Sequence, residues 1–327
     1  MTEQQKRQIS SDLIDFYLKL IFFETPHHLQ LISHHDSMGL FLKVFDQPLV
    51  IWNIKFIDKL KKIDTILIPE KNSEIYLTIQ ENFPSIKVEY VKDELPNLSN
   101  TIQTGTKISD FSKLDEIKLN FNSLLFQSKQ TQGIIIHTIK YPWDYLKSIK
   151  EIMDNYVLES KIASSATIPK TTVLDGPCVI EDNVIIDDFC KIKGPIFIGK
   201  DSFIGMGSLV RNCMFGAKTS IGFNCEISKS YFAGQTEIAH HNVILDSLIG
   251  DNVWFGGYSG TANVLLTKKN VKYQIDEKII DTGINHFGAV VGNNSAVGAA
   301  VIILPGRQIS SNSTIQAGTI VGKKNDV

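Results

Sequence analysis

Reading every sixth residue from Ile162 gives Ile162, Ile168, Leu174, Ile180, Ile186, Ile192, Ile198, Ile204 and Val210. The register shortens by one and continues at Phe215, Ile221 and Ile227, then at Phe232, Ile238 and Ile244, then at Ile249, Phe255 and Thr261. It resumes at Val291, Val297, Ile303, Ile309, Ile315 and Val321, so that 23 of 24 positions are Ile, Leu, Val or Phe. A period of six fits neither a helix at 3.6 residues per turn nor an alternating strand at 2. It fits a parallel β-helix in which each hexad supplies one short strand and one corner, three hexads closing a triangular coil.

The other hexad positions agree. Gly follows the aliphatic at Gly199, Gly205, Gly216, Gly222, Gly250, Gly256, Gly292 and Gly298, and Asn or Asp follows two residues later at Asn183, Asp201, Asn224, Asn252, Asn294 and Asn312. These types tolerate tight or left-handed backbone. The fifth position is small, as at Cys178, Cys190, Ser202, Ser208, Thr219, Cys225 and Thr236, which suits a narrow interior. The three shortened steps fall three hexads apart and make coils of 17 residues, predicting one tightened edge. Residues 262–290 interrupt the repeat and carry Lys268, Lys269, Lys272 and Lys278. An excursion of this length in a compact repeat is expected to serve a ligand or a subunit contact.

Residues 1–160 lack the period. "LVIWNIKFIDKLKKI" and "SEIYLTIQENF" read as helices, "DTILIPE" and "IKVEYVKD" as strands, an alternation that predicts an α/β domain with a parallel sheet. "KYPWDYLKSIKEIMDNYVLESKI" reads as a helical bridge into a second domain over 161–327. No GxGxxG or GKS/GKT loop occurs in the first half. The doublets His27-His28 and His34-His35 have only Asp36 beside them and read as a polar loop or helix face, with no metal site expected. The four cysteines lack CxxC spacing and read as small, reduced structural residues.

A net charge of -2 gives no electrostatic reason to expect nucleic acid or an anionic membrane as partner. No run reaches 18 uncharged apolar residues, and the start lacks a signal layout, so the expected location is the cytoplasm.

Several stretches resemble the sugar-1-phosphate nucleotidylyltransferase/acetyltransferase family, typified by the bifunctional N-acetylglucosamine-1-phosphate uridyltransferase and glucosamine-1-phosphate acetyltransferase. They are "YPWDYLKSIKEIM", "GPIFIGKDSFIGMGSLVRN", "EISKSYFAGQTEIAHHNVILDSLIGDN", "GGYSGTANVLLTKKNVK" and "FGAVVGNNSAVGAAVIILPGRQI", so the likeness covers 141–327. It implies that the repeat winds as a left-handed parallel β-helix assembling as a homotrimer, with acetyl-CoA as co-substrate. It implies an amino sugar phosphate or nucleotide sugar as acceptor. In the first half only "FDQPLVIWNIKFIDKL" matches, and the family's Gly-rich, Arg-containing loop and its Mg²⁺-holding acids are missing. That domain reads as a degenerate nucleotidyltransferase-like one, with neither Mg²⁺ nor nucleotidyl transfer expected.

Aligned on "LIGDN", the family's catalytic base falls on His240. Imidazole suits that task because it exchanges a proton near neutral pH. Asp246 also matches; Asn263 and Glu226 fall on family substrate-site residues, Arg211 lies near the family's phosphate-holding Arg, and Lys269 matches a Lys that serves substrate or CoA phosphates. Three positions depart: Val243 stands for a sugar-binding Tyr, Ser228 for a Lys with Lys229 next door, and Trp254 for an Asn. Lost polar groups weaken recognition of a particular sugar. Two readings follow: an N-acetyltransferase with His240 as base, or a catalytically silent sugar-nucleotide binder or scaffold, residual nucleotidyl transfer being least favoured. In the silent case His240 and His241 decorate an outer edge.

Overall fold

The computed structural model describes residues 141–275 and 278–322 continuously, and in the N-terminal part segments 18–23, 43–44, 47–58, 63–69, 73–91, 106–108, 116–120, 123–127 and 134–139. Both histidine doublets lie outside the described residues. The chain divides into two compact units, one taking in 48–138 and the strand Leu18–Phe23, the other running from Ile139 to the C-terminus. The helix Pro142–Tyr156 belongs to the second.

In the first unit, Leu18–Phe23, Ile63–Pro69, Lys87–Val91 and Glu116–Asn120 form a parallel sheet with Leu18–Phe23 and Ile63–Pro69 inside. Helices Leu49–Asp58 and Ser73–Asn82 supply buried Ile54, Ile57 and Ile79, and the sheet supplies Ile66. All four elements read from the sequence here are present. The three-stranded antiparallel sheet of Thr106–Ile108, Ile134–Thr138 and Ser123–Gln127 was not legible, because strands of three to five residues carry too short a pattern.

The second unit is a triangular left-handed parallel β-helix whose three faces are parallel sheets. Face A runs from Lys161–Ile162 to Arg307–Ile309 in eight strands, face B from Ile185–Ile186 to Thr314–Ile315 in seven, and face C from Val173–Asp175 to Ile320–Val321 in eight. Successive coils pair in register, Val210 with Ile227, Ile227 with Ile244, and Ile244 with Thr261, so each hexad column becomes one interior stack. Eighteen of the 24 periodic residues belong to the fully buried core; Ile168, Leu174, Ile315 and Val321 pack against it from the end coils. Thr261, the one polar member, is buried and bonded to Ser247 Oγ at 2.9 Å. Buried hydroxyls need such a partner.

The corner residues divide by cause. Asn183, Asp201, Asn224, Asn252, Asn294 and Asn312 all adopt φ between +53° and +60°. The glycines after the aliphatics serve close approach instead: a Cβ on Gly216 would lie 2.2 Å from the Ala233 carbonyl oxygen of the next coil. All three shortened steps fall at the edge between faces C and A, where Asn212, Lys229 and Asp246 turn the chain at φ +51°, +48° and +45°.

The outer side of face A is covered. Helix Pro142–Tyr156 begins with Pro at its first position and with the Tyr141 N–H donating to Asp144 Oδ2 at 2.9 Å, which satisfies one free N-terminal donor. It buries Tyr145, Ser148, Ile149 and Ile152, an i, i+3, i+4, i+7 stripe, with Tyr145 edge-on to Tyr231 of face A at 5.0 Å. Beneath and beside the helix, Phe197, Met214, Tyr231, Leu248 and Val290 are buried although they point away from the prism axis. The excursion, read from sequence as a loop, contains an antiparallel hairpin, Lys272–Ile275 with Lys278–Asp281. Tyr273 and Phe287 anchor it against Trp143 at 5.6 and 6.0 Å, and the Tyr273 hydroxyl donates to Gln308 Oε1 at 2.8 Å.

Candidate functional site

Face C is bounded by two unlike edges, and the sequence-selected residues distribute over both. The B/C edge keeps full hexads. Residues at the fourth hexad place stack there from coil to coil as Asn224, His241 and Tyr258, each 17 residues apart and each left-handed (φ +53°, +59°, +62°). The His241 N–H donates to the Phe223 carbonyl at 2.9 Å and the Tyr258 N–H to the His240 carbonyl at 3.1 Å. His241 thus fills a structural corner: its ring stacks on Tyr258 at 4.9 Å, meets Phe223 edge-on at 5.2 Å, and its Nδ1 lies 3.2 Å from Asn224 Nδ2.

His240, one place earlier, points outward and is exposed. Its ring lies over Gly257 of the next coil; a Cβ there would be 2.8 Å from His240 Nε2. It meets His241 and Tyr258 edge-on at 5.6 and 5.7 Å. The backbone of one neighbour and the rings of two others therefore hold an imidazole at the rim of face C. Tyr258, 63% exposed beside both histidines, escaped the sequence reading. The 17-residue ladder from Phe223 through His240 to Gly257, with Tyr258 next to it, is the signal that finds it.

On face C itself, Arg211 Nη2 and Glu226 Oε1 form an ion pair between adjacent coils. Arg211 Nε is buried without a hydrogen-bond partner. Glu226 stands level with Val243, and Val243 with Gly260, so on this face the coils after Glu226 present an isopropyl group and then bare backbone.

The C/A edge carries the rest. Asn263 Nδ2 donates to Asp246 Oδ2 at 2.5 Å, joining two of the sequence-selected residues. The Lys229 N–H donates to the Arg211 carbonyl and the Asp246 N–H to that of Ser228, both at 2.9 Å, which fixes the two corners in a column. Lys229 and Asp246 line a cleft of about 370 Å³ whose other wall is the helix at 142–156. His286, to which the sequence reading gave no role, lines it too. Lys269 is exposed on the excursion, with Lys268 and Lys272 also exposed nearby.

Inside the prism, burial pushes the cysteine thiols up, Cys178 to about 11 with help from Asp175 and Cys213 to about 12, and Cys190 and Cys225 in the same direction. A thiol held protonated is no nucleophile. The cysteines are fillers, and the polar chemistry of the prism lies on its outside.

This architecture defines the hexapeptide-repeat class of left-handed β-helix proteins. No protein-family model matches the chain. Among known proteins, it is 28% identical over 284 residues to the bifunctional protein GlmU of Methanococcus vannielii, spanning 81% of this chain and 66% of that one. It is 26% identical over 308 residues to the bifunctional sugar-1-phosphate nucleotidylyltransferase/acetyltransferase of Sulfurisphaera tokodaii, spanning 86% and 76%. It is 32% identical over 171 residues to the "uncharacterized acetyltransferase YaiX" of Escherichia coli, spanning 46% of this chain and 73% of that one. A solved UDP-N-acetylglucosamine acyltransferase from Francisella novicida aligns at 16% identity with a TM-score of 0.26, over 51% of this chain and 62% of that one. The chain belongs with the Escherichia coli acetyltransferase, of which it covers nearly three quarters, and over most of its length it is similar to the bifunctional sugar-1-phosphate nucleotidylyltransferase/acetyltransferases. Among the described residues no helix is long and apolar enough to cross a membrane.

Proposed function

We propose that the protein transfers the acetyl group of acetyl-CoA to the amine of an amino sugar phosphate or nucleotide sugar, on face C, with His240 as general base. The observation that carries this reading is the pair of adjacent histidines with divided labour. His241 is committed to the corner, while His240 is exposed and fixed over Gly257. A base must be both reachable and oriented, and positioned proton transfer contributes about 10²–10⁴-fold.

In the reaction the amine nitrogen attacks the thioester carbonyl, His240 takes the proton the nitrogen loses, and the tetrahedral intermediate collapses with departure of the CoA thiolate. The imidazolium returns its proton to that sulfur. Arg211 and Lys229 hold the acceptor phosphate. Glu226 orients Arg211 through their ion pair, and Asn263, tied to Asp246, bounds the acceptor end. Lys269 on the excursion takes a CoA phosphate, as an ammonium suits such an oxyanion. The protein works as a homotrimer in the cytoplasm. An exposed apolar ridge of Phe189, Met206, Phe223 and Tyr258 along the B/C edge supports assembly through that edge, since contiguous apolar surface marks a contact site.

A second reading, a silent sugar-nucleotide binder, draws support from Val243, which offers the sugar no hydrogen bond. Release of free CoA thiol, followed with a panel of amino sugar phosphates and nucleotide amino sugars, separates the two. Acceptor-dependent release supports the transferase; no release with any acceptor, from a folded oligomer, supports the binder.

A further inference from the structure

The cleft at the C/A edge has no part in amine activation, yet it is built as a ligand site. Its volume of about 370 Å³ falls in the range of small-molecule pockets. The helix gives it an apolar wall of Leu146, Ile149 and Met153. Cations stand around that wall: Lys147 and Lys150 on the helix, and Lys229 opposite. The two acids in the lining are engaged, Asp144 with the Tyr141 N–H and Asp246 with the Asn263 amide. Lys150 is paired with Asp154 at 2.6 Å, whereas among the described residues neither Lys147 nor Lys229 forms an ion pair. The cleft thus combines an apolar surface with two uncommitted ammonium groups on opposite walls. That complements a ligand with a flat, weakly polar body and a dense negative charge.

Its position says what such a ligand is attached to. Lys229 directly follows the face C strand Glu226–Ser228, and Asp246 directly follows Val243–Leu245. The cleft therefore opens at the end of face C opposite His240. From His240 to Asp246 is one hexad, a span of at most ~20 Å. A monophosphate sugar with its amine at His240 ends on the face. A nucleoside-diphosphate sugar continues past Arg211 and reaches the cleft.

We infer that the acceptor is a nucleoside-diphosphate amino sugar, its diphosphate held between Lys147 and Lys229 and its nucleoside against the helix. This deepens the acetyltransferase reading and rests on it for the position of the amine. The test is calorimetric titration of the full-length protein with UDP, GDP and ADP, repeated for Lys147→Glu, Leu146→Trp and the exposed control Lys218→Glu. At least one diphosphate should bind the wild type, at least tenfold more weakly in the two cleft variants and unchanged in the control. Leu146→Trp blocks the cleft; Lys147→Glu keeps the test decisive if the larger side chain disturbs folding. Binding of none of the three, or binding that survives in both cleft variants, overturns the inference. Acetyl transfer to monophosphate sugars alone, unaffected by either variant, overturns it while leaving the acetyltransferase standing. Nucleotide binding lost in the cleft variants, without turnover by the wild type, supports the site and removes only the transfer step.

Discussion

The two edges of face C are made from the same repeat and come out chemically opposite. At the B/C edge the hexads are complete, and the third and fourth places carry side chains outward to solvent, an apolar ridge with one exposed imidazole in it. At the C/A edge one residue is missing from each of three successive corners. Asn212, Lys229 and Asp246 turn the chain more tightly there, and a helix and the end of the excursion stand over the column. One missing residue per coil thus separates an exposed rim from a walled cleft. At the unbroken edge what differs from coil to coil is side-chain identity alone, whereas at the shortened edge the backbone path itself changes.

The largest test of that contrast removes what both edges stand on. Phe255, fully buried in the face B column, should cost about 3–5 kcal/mol as Phe255→Ala, as large-to-small core changes do, and thermal denaturation will read it. An unchanged midpoint would mean that the coils support the edges independently of the core column.

Next in size, Gly257→Ala sharpens the B/C edge alone. The new methyl would meet the His240 ring at 2.8 Å, and the ring can swing aside while the backbone stays. Acetyl transfer should fall roughly 10–100-fold, in line with the cost of misplacing a reacting group by about 1 Å. The melting temperature should hardly move. Loss of fold together with activity would contradict the claim that only the imidazole is displaced.

At the C/A edge, Asp246→Ala cuts the tie to Asn263 and should cost roughly 1.5 kcal/mol in chemical denaturation, the low end for a hydrogen bond to a charged group. Asp246→Asn, which keeps an oxygen and tolerates the left-handed corner, should cost less. Equal costs would show that the carboxylate charge, which both variants remove, sets the residue, rather than the retained oxygen or the corner conformation.

The smallest effect concerns alkaline pH. The folded prism holds its thiols protonated at pH values where the unfolded chain ionises them. Their contribution is complete below the ordinary thiol range and is lost as pH rises through that range toward about 11 for Cys178 and about 12 for Cys213. Denaturation midpoints should therefore fall between pH 8 and pH 10.5. Cys213→Ala, at the tightened edge, should flatten that fall, and a slope unchanged by it would remove the thiol from the account.

Much of the prism was legible because its signal is a strict period repeated in 24 places, and the tightened edge was legible because a missing residue shifts every later position. The left-handed corners at Asn183 and Asn312 could be read from residue type. The same structural slot at His241 and Tyr258 could not, since it was recognised along the chain only by Asn and Asp, and so the stack that holds His240 was invisible. The cleft was hidden for a different reason. It joins Lys147, Lys229 and His286 from three distant segments, and no spacing along the chain records that the helix lies over face A. In the first unit, the parallel sheet followed from alternating strands and helices, while strands of three to five residues such as Thr106–Ile108 left no pattern to read.

The central claim is that one of two adjacent histidines is a base and the other a corner. The most direct measurement is the rate of acetyl transfer in His240→Ala and His241→Ala, each with and without added imidazole. The account predicts at least a 10²-fold loss in His240→Ala, partly restored by imidazole from solution, and activity within a few-fold of wild type in His241→Ala, with a lowered melting temperature from the disturbed corner. Equal losses in both variants, or a His240→Ala enzyme as active as wild type, would contradict it.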